Sequence, residues 1–400
     1  MEAPIFDGLL VIDCASYIAG PAAATVMSDF GASVIKIEPP GAGDPYRSRV
    51  GRPALTVAQR NPNWVMDARN KRSLALDLSR PTGQAVLHRL AAAADVFITN
   101  YPLPVRRKLR VTYSDIGPLN PRLIYASFTG YGEHGPEAGK PGFDVTAWWA
   151  RSGMMHLVRA GEAAMPARSL SGMGDHPSAM GLFGAIATAL YRRERTGRGG
   201  QVGSSLIANG MWANANQVQT ALCGEPLDIQ PPPDAAQHAL RNHYCCRDGR
   251  WIILSVVPSE ARWKALAGVL GGGLSDDPRF GTEAGRESNM PALIAALGEI
   301  FMTRDFADWS RRLDEAGLVF GIVATPGDIR TDEQARVSGV VVPFADGSME
   351  TVSSPFWLDG QEKVKPRHAP ELGEHSADVL RDAGFAEAEI ESLRRAKVIA

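Results

Sequence analysis

Leu9-Leu10-Val11-Ile12-Asp13-Cys14, followed by the turn Ala15-Ser16-Tyr17-Ile18-Ala19-Gly20 and the small, apolar run Pro21 to Phe30, is the stretch that decides the fold. A short apolar segment with charge only at its end suits a parallel strand buried on both faces, and the run after it reads as a helix. The pattern repeats outward. Val34-Ile35-Lys36-Ile37 is a second strand, broken by Pro39-Pro40-Gly41, and Leu74 to Leu78 is a third, after which Pro81 opens a helix to about Ala94. Val96-Phe97-Ile98 and Leu123-Ile124-Tyr125-Ala126 complete the set. Strands alternating with helices predict a Rossmann-like, doubly wound α/β sheet. Ligands of such sheets bind beyond the carboxyl ends of the strands. Here those ends carry Ala15 to Gly20, Glu38 to Gly43, Asn100-Tyr101 and Thr129-Gly130-Tyr131-Gly132.

A chain of 400 residues is long enough for two or three domains. Pro226 to Asp234, with Pro231-Pro232-Pro233, reads as a linker. It divides a large domain (1–225) from a smaller α+β domain with its linkers (226–328), and 329–400 returns to the large domain, with a charged, helical tail from Pro366 to Ala400. The small domain holds a hairpin turning at Asp248-Gly249 and helices carrying Trp263 and Trp309. Ala316-Gly317 to Thr325-Pro326 is expected to lead back toward the first domain. The formal net charge of −2 gives no global attraction to nucleic acid or an anionic membrane. There is no run of 18 apolar residues, and Met1-Glu2-Ala3-Pro4 does not begin a signal peptide. The four cysteines include adjacent Cys245-Cys246 and no C-x-x-C pair, and the histidines lack zinc spacing. The expectation is a metal-free cytoplasmic protein.

The chemistry-bearing candidates are few. Asp175, in Gly172-Met173-Gly174-Asp175-His176-Pro177-Ser178, precedes an apolar helix that ends in Tyr191-Arg192-Arg193-Glu194-Arg195 and Gly197. Its position reads as a helix N-cap, where the positive helix end keeps a carboxylate ionised and offers N–H donors. Such a carboxylate caps the helix or serves as a nucleophile, and Gly174 opens access to it from one side. The loop Ala15 to Ala22 is a natural anion site but lacks G-x-G-x-x-G. Arg47, Arg49, Lys71, Arg72, Arg106, Arg107, Lys108 and Arg110 are each an ordinary solvated cation taken singly, and a phosphate-binding set if their loops converge. A glycine-rich connection, Thr129 to Pro136 with Lys140 to Asp144, precedes a helix that Asp144 can cap. There is no G-x-S-x-G elbow for a serine nucleophile.

Taken in order, these segments resemble the class III CoA-transferase family, which includes formyl-CoA transferase and carnitine CoA-transferase. The resemblance runs from Leu9–Gly20 through Gly31–Glu38, Asn70–Asp77, Asn100-Tyr101, Gly130–Gly132, Gly174-Asp175 and Thr196–Gly199 to Ala369–His375. It implies that Asp175 attacks an acyl-CoA thioester, forming an aspartyl anhydride and then an aspartyl-CoA thioester. Coenzyme A would be a substrate and not a tightly bound cofactor, and the partners would be an acyl-CoA donor and a carboxylic acid acceptor. The resemblance places CoA contacts at Tyr17, Ile18, Ala19, Leu76, Asn100, Tyr101, Val105, Lys108, Lys140 and Leu206, with Leu76 and Tyr101 flanking the adenine. Asp144, on the glycine-rich connection, and Arg72 complete the set. Pro39 stands where some members carry a basic residue, so phosphate contact would fall to Arg47, Lys71 or Arg72. Thr129 replaces a lysine of some members, and residues 240–260 show no glycine-rich lid.

The resemblance also implies an interlocked, ring-like homodimer, with Trp251 or Trp309 of a second chain near Asp175. Trp148, Trp149, Met154, Met155 and Met173 would line the acyl pocket, with Arg168 or Arg47 facing a second carboxylate. The nearest rival is an α-methylacyl-CoA racemase, whose Gly-His-Asp triplet is Gly142-Phe143-Asp144 here. Phenylalanine carries no proton, which removes half of an acid/base pair. Transfer of CoA between two carboxyls of one molecule stays open. A nicotinamide oxidoreductase lacks its fingerprint, and a CoA-binding protein without catalysis would not need Asp175.

Overall fold

The computed structural model describes residues 3–48, 61–227 and 238–400. Arg49 and the triple-proline linker lie outside the described residues. Six parallel strands form the central sheet: β1 Leu10–Asp13, β2 Ser33–Glu38, β3 Lys71–Ala75, β4 Val96–Thr99, β5 Ile124–Thr129 and β6 Gly200–Ser205, in the order β3-β2-β1-β4-β5-β6. The order reverses between β1 and β4, so the ligand crevice of this doubly wound sheet opens between the loops that follow those two strands.

Successive residues on a strand enter opposite cores, which is why the strands read as unbroken apolar runs. Val11, Val34, Val96 and Ile124 pack with the helices Ala19–Asp29 and Asp175–Thr196 on one face. Ile12, Ile35, Phe97 and Tyr125 pack on the other, with the helices Pro81–Ala93, Ser376–Asp382 and Glu387–Arg395. Two strands depart from the sequence reading. β6, Gly-Gln-Val-Gly-Ser-Ser, has little strand propensity of its own and forms because β5 templates it from Ile124 to Thr129. β3 begins at Lys71, three residues before the apolar run, because Lys71 carries its charge inward to Asp13 at 2.9 Å.

By internal contacts the chain forms one unit of Met1–Met155, Arg168–Pro226 and Glu333–Ala400, and another of His156–Ala167 with Leu227–Asp332. The linker reading does not separate His156–Ala167 from the first part. Backbone bonds tie the C-terminal segment into the first unit: Arg367 donates to Asn70 Oδ1 (2.8 Å), His375 to the Ser73 carbonyl (3.1 Å) and Asp77 to the Val398 carbonyl (2.8 Å). The second unit has an antiparallel sheet of His243–Cys245, Trp251–Leu254 and Phe320–Ile322, and a core that includes Trp263, Phe301 and Trp309. Phe320–Ile322 pairs with Trp251–Leu254, so residues 316–326 stay inside this unit instead of leading directly back to the first. Trp309 is fully buried and donates its indole N–H to the Phe301 carbonyl, which removes it as a side chain presented to a second chain. No helix among the described residues is long and apolar enough to cross a membrane.

Buried charge fixes the carboxyl edge of the sheet. Lys36 Nζ sits 2.9 Å from Asp44 and 3.7 Å from Asp13, and also donates to the Ala15 carbonyl. Lys71 Nζ reaches Asp13 and, at 2.7 Å, the Pro21 carbonyl. Burial opposes the charge on Lys36, but Asp13, Asp44 and Glu38 outweigh it, so its pKa is raised and the ammonium is held. Removing one partner of a buried pair leaves the other unpaired, at a cost of about 3–5 kcal/mol, whereas a half-exposed pair contributes about 0–1 kcal/mol. Lys36→Met is therefore expected to lose about 3–5 kcal/mol in chemical unfolding, and Arg72→Ala, which breaks a half-exposed pair with Asp382, under about 1 kcal/mol. Equal losses for the two variants would refute this assignment.

Candidate active site

The turn after β1 is held from two sides. Asn100, at the end of β4, accepts the Ser16 N–H (2.8 Å) and donates to the Ser16 carbonyl (2.6 Å), bridging the switch point of the sheet. Asp44 accepts the N–H of Tyr17 (3.1 Å) and of Tyr46 (2.9 Å) through one oxygen while the other faces Lys36. Tyr17 has φ +63°, a left-handed conformation that a bulky side chain rarely adopts, and the Asp44 bond is what retains it. Its ring meets Phe143 edge-on at 6.0 Å. A Cβ placed on Gly172 would lie 3.3 Å from Ile18 Cδ1, so the first loop packs against the turn that leads to Asp175.

Asp175 is the first residue of its helix, not the cap, and its carboxylate accepts no hydrogen bond among the described residues. The cap is Gly174, which also lacks a side-chain bond. The first-turn N–H groups are already used: Asp175 and His176 donate to the Gly172 carbonyl, Ser178 to the Gly174 carbonyl, and Gly174 to Asp144 Oδ2 at 3.4 Å. The helix mouth thus offers fewer free donors than its sequence suggests. Gly174 serves packing, not access, because a Cβ there would lie 2.6 Å from Trp148 Cγ.

The expectation of an ordinary ionised carboxylate is also overturned. Burial first, then the Asp144 charge, push the Asp175 carboxyl up to about 7, with Asp67 adding to the rise and His176 opposing it. A helix end supplies about 0.3–1 kcal/mol, less than one pKa unit, while burial beside like charges is worth several units. The outcome is a half-buried carboxyl poised near neutrality, which is a mark of a functional group.

Tyr17, Ile18, Ala19 and Asn100 gather at this crevice, and Asp144 reaches it through Gly174. Tyr101 follows Asn100, half-buried, with its phenol turned toward Ser16 and the core. Val105 and Lys108 are exposed on the helix Leu103–Leu109, and Lys140 is exposed over the Tyr131 ring at 4.9 Å. Leu206 is buried where β6 passes into the helix Leu206–Ala213. Leu76 follows the carboxyl end of β3, but its side chain is 1% exposed in the core, so it cannot flank an adenine.

Among the described residues the basic set does not converge. Arg72 lies near the amino end of β3, bonds Asp382 and lines a separate cavity with Arg367, His368 and His375. Lys71 is buried on Asp13. Arg47 forks Glu38 (2.6 and 2.7 Å), stacks over Trp64 and donates to the Pro370 carbonyl, so it is already committed and free neither for a phosphate nor for a second carboxylate. Arg106 forks Glu133. Trp148 and Trp149 are core residues stacked on each other, not pocket walls. Asp44, Tyr46 and Asp67 are site residues that the sequence reading misses. Asp67 ends the short helix Pro62–Asp67, and nothing local shows that this helix folds back onto Asp175.

Known proteins share the family and the fold. The family described as CoA-transferase family III matches residues 6–376. The chain is 30% identical to (R)-2-hydroxy-4-methylpentanoate CoA-transferase of Clostridioides difficile, over 99% of both chains. It is 29% identical to Cinnamoyl-CoA:phenyllactate CoA-transferase of Clostridium sporogenes, over 99% of this chain and 97% of that one. The crystal structure of a CAIB/BAIF family protein from Brucella suis matches with a TM-score of 0.85 at 28% identity, covering 96% of this chain and 100% of that one.

A carboxyl whose pKa is raised on folding destabilises the folded chain progressively as pH climbs from its unfolded value to its folded one. For Asp175 that window runs from its ordinary value of 3.8 to about 7. Asp175→Asn is therefore expected to raise Tm by about 1–3 °C at pH 8 and by less at pH 5, after discounting for solvent screening. A gain that is the same at both pH values, or a loss at pH 8, would contradict the raised carboxyl.

Proposed function

The chain belongs to CoA-transferase family III, and we propose that it moves CoA from an acyl-CoA thioester to a carboxylic acid with Asp175 as the nucleophile. The observation that carries this reading is the Asp175 carboxyl itself: half-buried, without a hydrogen-bond partner among the described residues, and packed through Gly172 against the loop after β1. A carboxylate that is neither paired nor capping is available to attack.

The steps balance without a further reactant. The Asp175 carboxylate attacks the thioester carbonyl, the C–S bond breaks, and CoA leaves as thiolate from a mixed anhydride. The thiolate then attacks the aspartyl carbonyl and releases the donor acid, leaving CoA as an aspartyl thioester. An acceptor carboxylate attacks that thioester and expels thiolate again. Thiolate attack on the acceptor's acyl carbonyl gives the new acyl-CoA and restores Asp175. Each hard substitution is split into easier ones. Thioester is exchanged for thioester, so no ATP is consumed. The α-hydrogen exchange of a racemase has less support, because Phe143 cannot carry a proton and both ring nitrogens of His176 are engaged.

The two relatives named above act, by their names, on 2-hydroxy acids with an apolar side chain, and we propose acceptors of that kind for this chain. The commitment of Arg47 to Glu38 supports a single acceptor carboxylate. The interlocked homodimer implied by the family resemblance is part of the same reading, and Trp251 is exposed and open to a second chain.

Asp175→Asn and Asp175→Ala are expected to keep the fold and lose CoA exchange by roughly 10³-fold or more. Wild type given acyl-CoA and then hydroxylamine should carry a hydroxamate at residue 175, read by peptide mass spectrometry. Exchange by either variant at near-normal rates would overturn the assignment. Because the carboxylate is the reactive form, kcat/KM should rise with pH through about 7.

In a panel of acids read by mass spectrometry, 2-hydroxy monocarboxylates should accept CoA at least about tenfold faster than succinate or glutarate, a gap of about 1.4 kcal/mol. Faster turnover of the dicarboxylates would reject the acceptor class and leave the nucleophile untouched.

A further inference from the structure

We propose that His176 is a fixed imidazolium that, held between Asp67 and the Gly172 carbonyl, positions Asp175 as a carboxylate for attack; this rests on Asp175 being the nucleophile. The ring protons are assigned from the partners of the two nitrogens. His176 Nδ1 lies 3.2 Å from the Gly172 carbonyl oxygen, which can only accept, so Nδ1 carries hydrogen. Nε2 lies 3.0 Å from Asp67 Oδ1, on a side chain only 4% exposed. With Asp67 as the acceptor of this bond, Nε2 carries hydrogen as well, and a ring protonated at both nitrogens is a cation. Burial disfavours that charge, but the Asp67 hydrogen bond and charge outweigh it and raise the pKa of His176.

Both ring protons are committed, so His176 neither shuttles a proton nor donates to substrate. It acts by charge and by shape. The ring braces the turn before Asp175, where Gly172 has φ +78° and a Cβ would meet His176 Nδ1 and Cε1 at 3.5 Å. Among the described residues, the charged and titratable groups around Asp175 come from four segments: Asp144 from the glycine-rich connection, Asp67 from the helix Pro62–Asp67, Tyr46 from the loop after β2, and His176 from its own helix. Asp144 and Asp67 oppose ionisation of Asp175, and Tyr46 stays neutral because burial, Asp67 and Asp175 all raise its phenol. His176 is therefore the cation in this set that favours the reactive form. Without it Asp175 would sit between two carboxylates. The pair is a positioning device specified by Asp67 and His176 together, 109 residues apart in sequence.

Two measurements on the full-length protein decide it. With ¹⁵N-histidine labelling, the His176 ring, assigned by its loss in His176→Gln, should show both nitrogens protonated at pH 7; a neutral-tautomer signature would overturn the proposal. In kinetics, His176→Gln should move the acid limb of kcat/KM up by about one pH unit. That is roughly a tenfold loss at pH 6, recovered by pH 9, with little change in KM. The double variant Asp67→Asn/His176→Gln, which removes both charges, should bring the limb back toward wild type. A loss from His176→Gln that is equal at every pH, or an unshifted limb, would leave His176 a merely structural residue. Absence of a hydroxamate at residue 175 in wild type would instead defeat the nucleophile reading. A trapped residue 175 with an unshifted limb would defeat only the role of His176.

Discussion

Lys36, buried between Asp13 and Asp44, is the interaction on which the carboxyl edge of the sheet depends. It joins β1 to the loop after β2, and through the Ala15 carbonyl it joins both to the turn that enters the helix Ala19–Asp29. Asp44, with one oxygen taken by Lys36, uses the other to hold the N–H groups of Tyr17 and Tyr46. Tyr17 is thereby kept in a left-handed conformation that costs of order 1–3 kcal/mol and persists only where surroundings impose it. Ion pairs this deep give little net stability against an apolar core. Their contribution here is placement: they fix where the first loop meets the turn before Asp175.

At Asp175 two opposing effects act, and magnitude decides between them. The helix end favours the anion by less than one pKa unit. Burial beside Asp144 and Asp67 disfavours it by more, and the carboxyl titrates near 7. The imidazolium of His176 keeps this from going further. A carboxylate stabilised by a full set of N–H donors would be a good cap and a poor nucleophile. Here the neighbouring carbonyls and Asp144 take those donors, and among the described residues the carboxylate is left unpaired.

Much of the first unit is legible in the chain because strands buried on both faces must be apolar throughout. Leu10–Asp13, Ser33–Glu38, Val96–Thr99 and Ile124–Thr129 each contain the run that marks them. β6 is not legible, because Gly200 to Ser205 takes strand geometry from its neighbour and has little preference of its own. The start of β3 is hidden for a related reason: Lys71 looks like a loop cation until Asp13 is placed against it. The basic residues show the same limit. Arg47, Lys71, Arg72 and Arg106 are alike in sequence, yet each is bound to a carboxylate that only the folded chain supplies.

By itself the sequence determined five of the six strands of the sheet, the helix that follows Gly174, the loops that follow those strands, and the family to which the chain belongs. These follow from local periodicity and turn chemistry, which act between residues a few positions apart. Tertiary structure alone decided the protonation of Asp175, the pairing of Asp67 with His176, the clamping of Tyr17 by Asp44, and the loss of Leu76 and Arg72 as ligand contacts. Those depend on which charges are brought within a few ångströms in a dry interior. Coulomb energies there change several-fold with burial, and no short stretch of sequence encodes it.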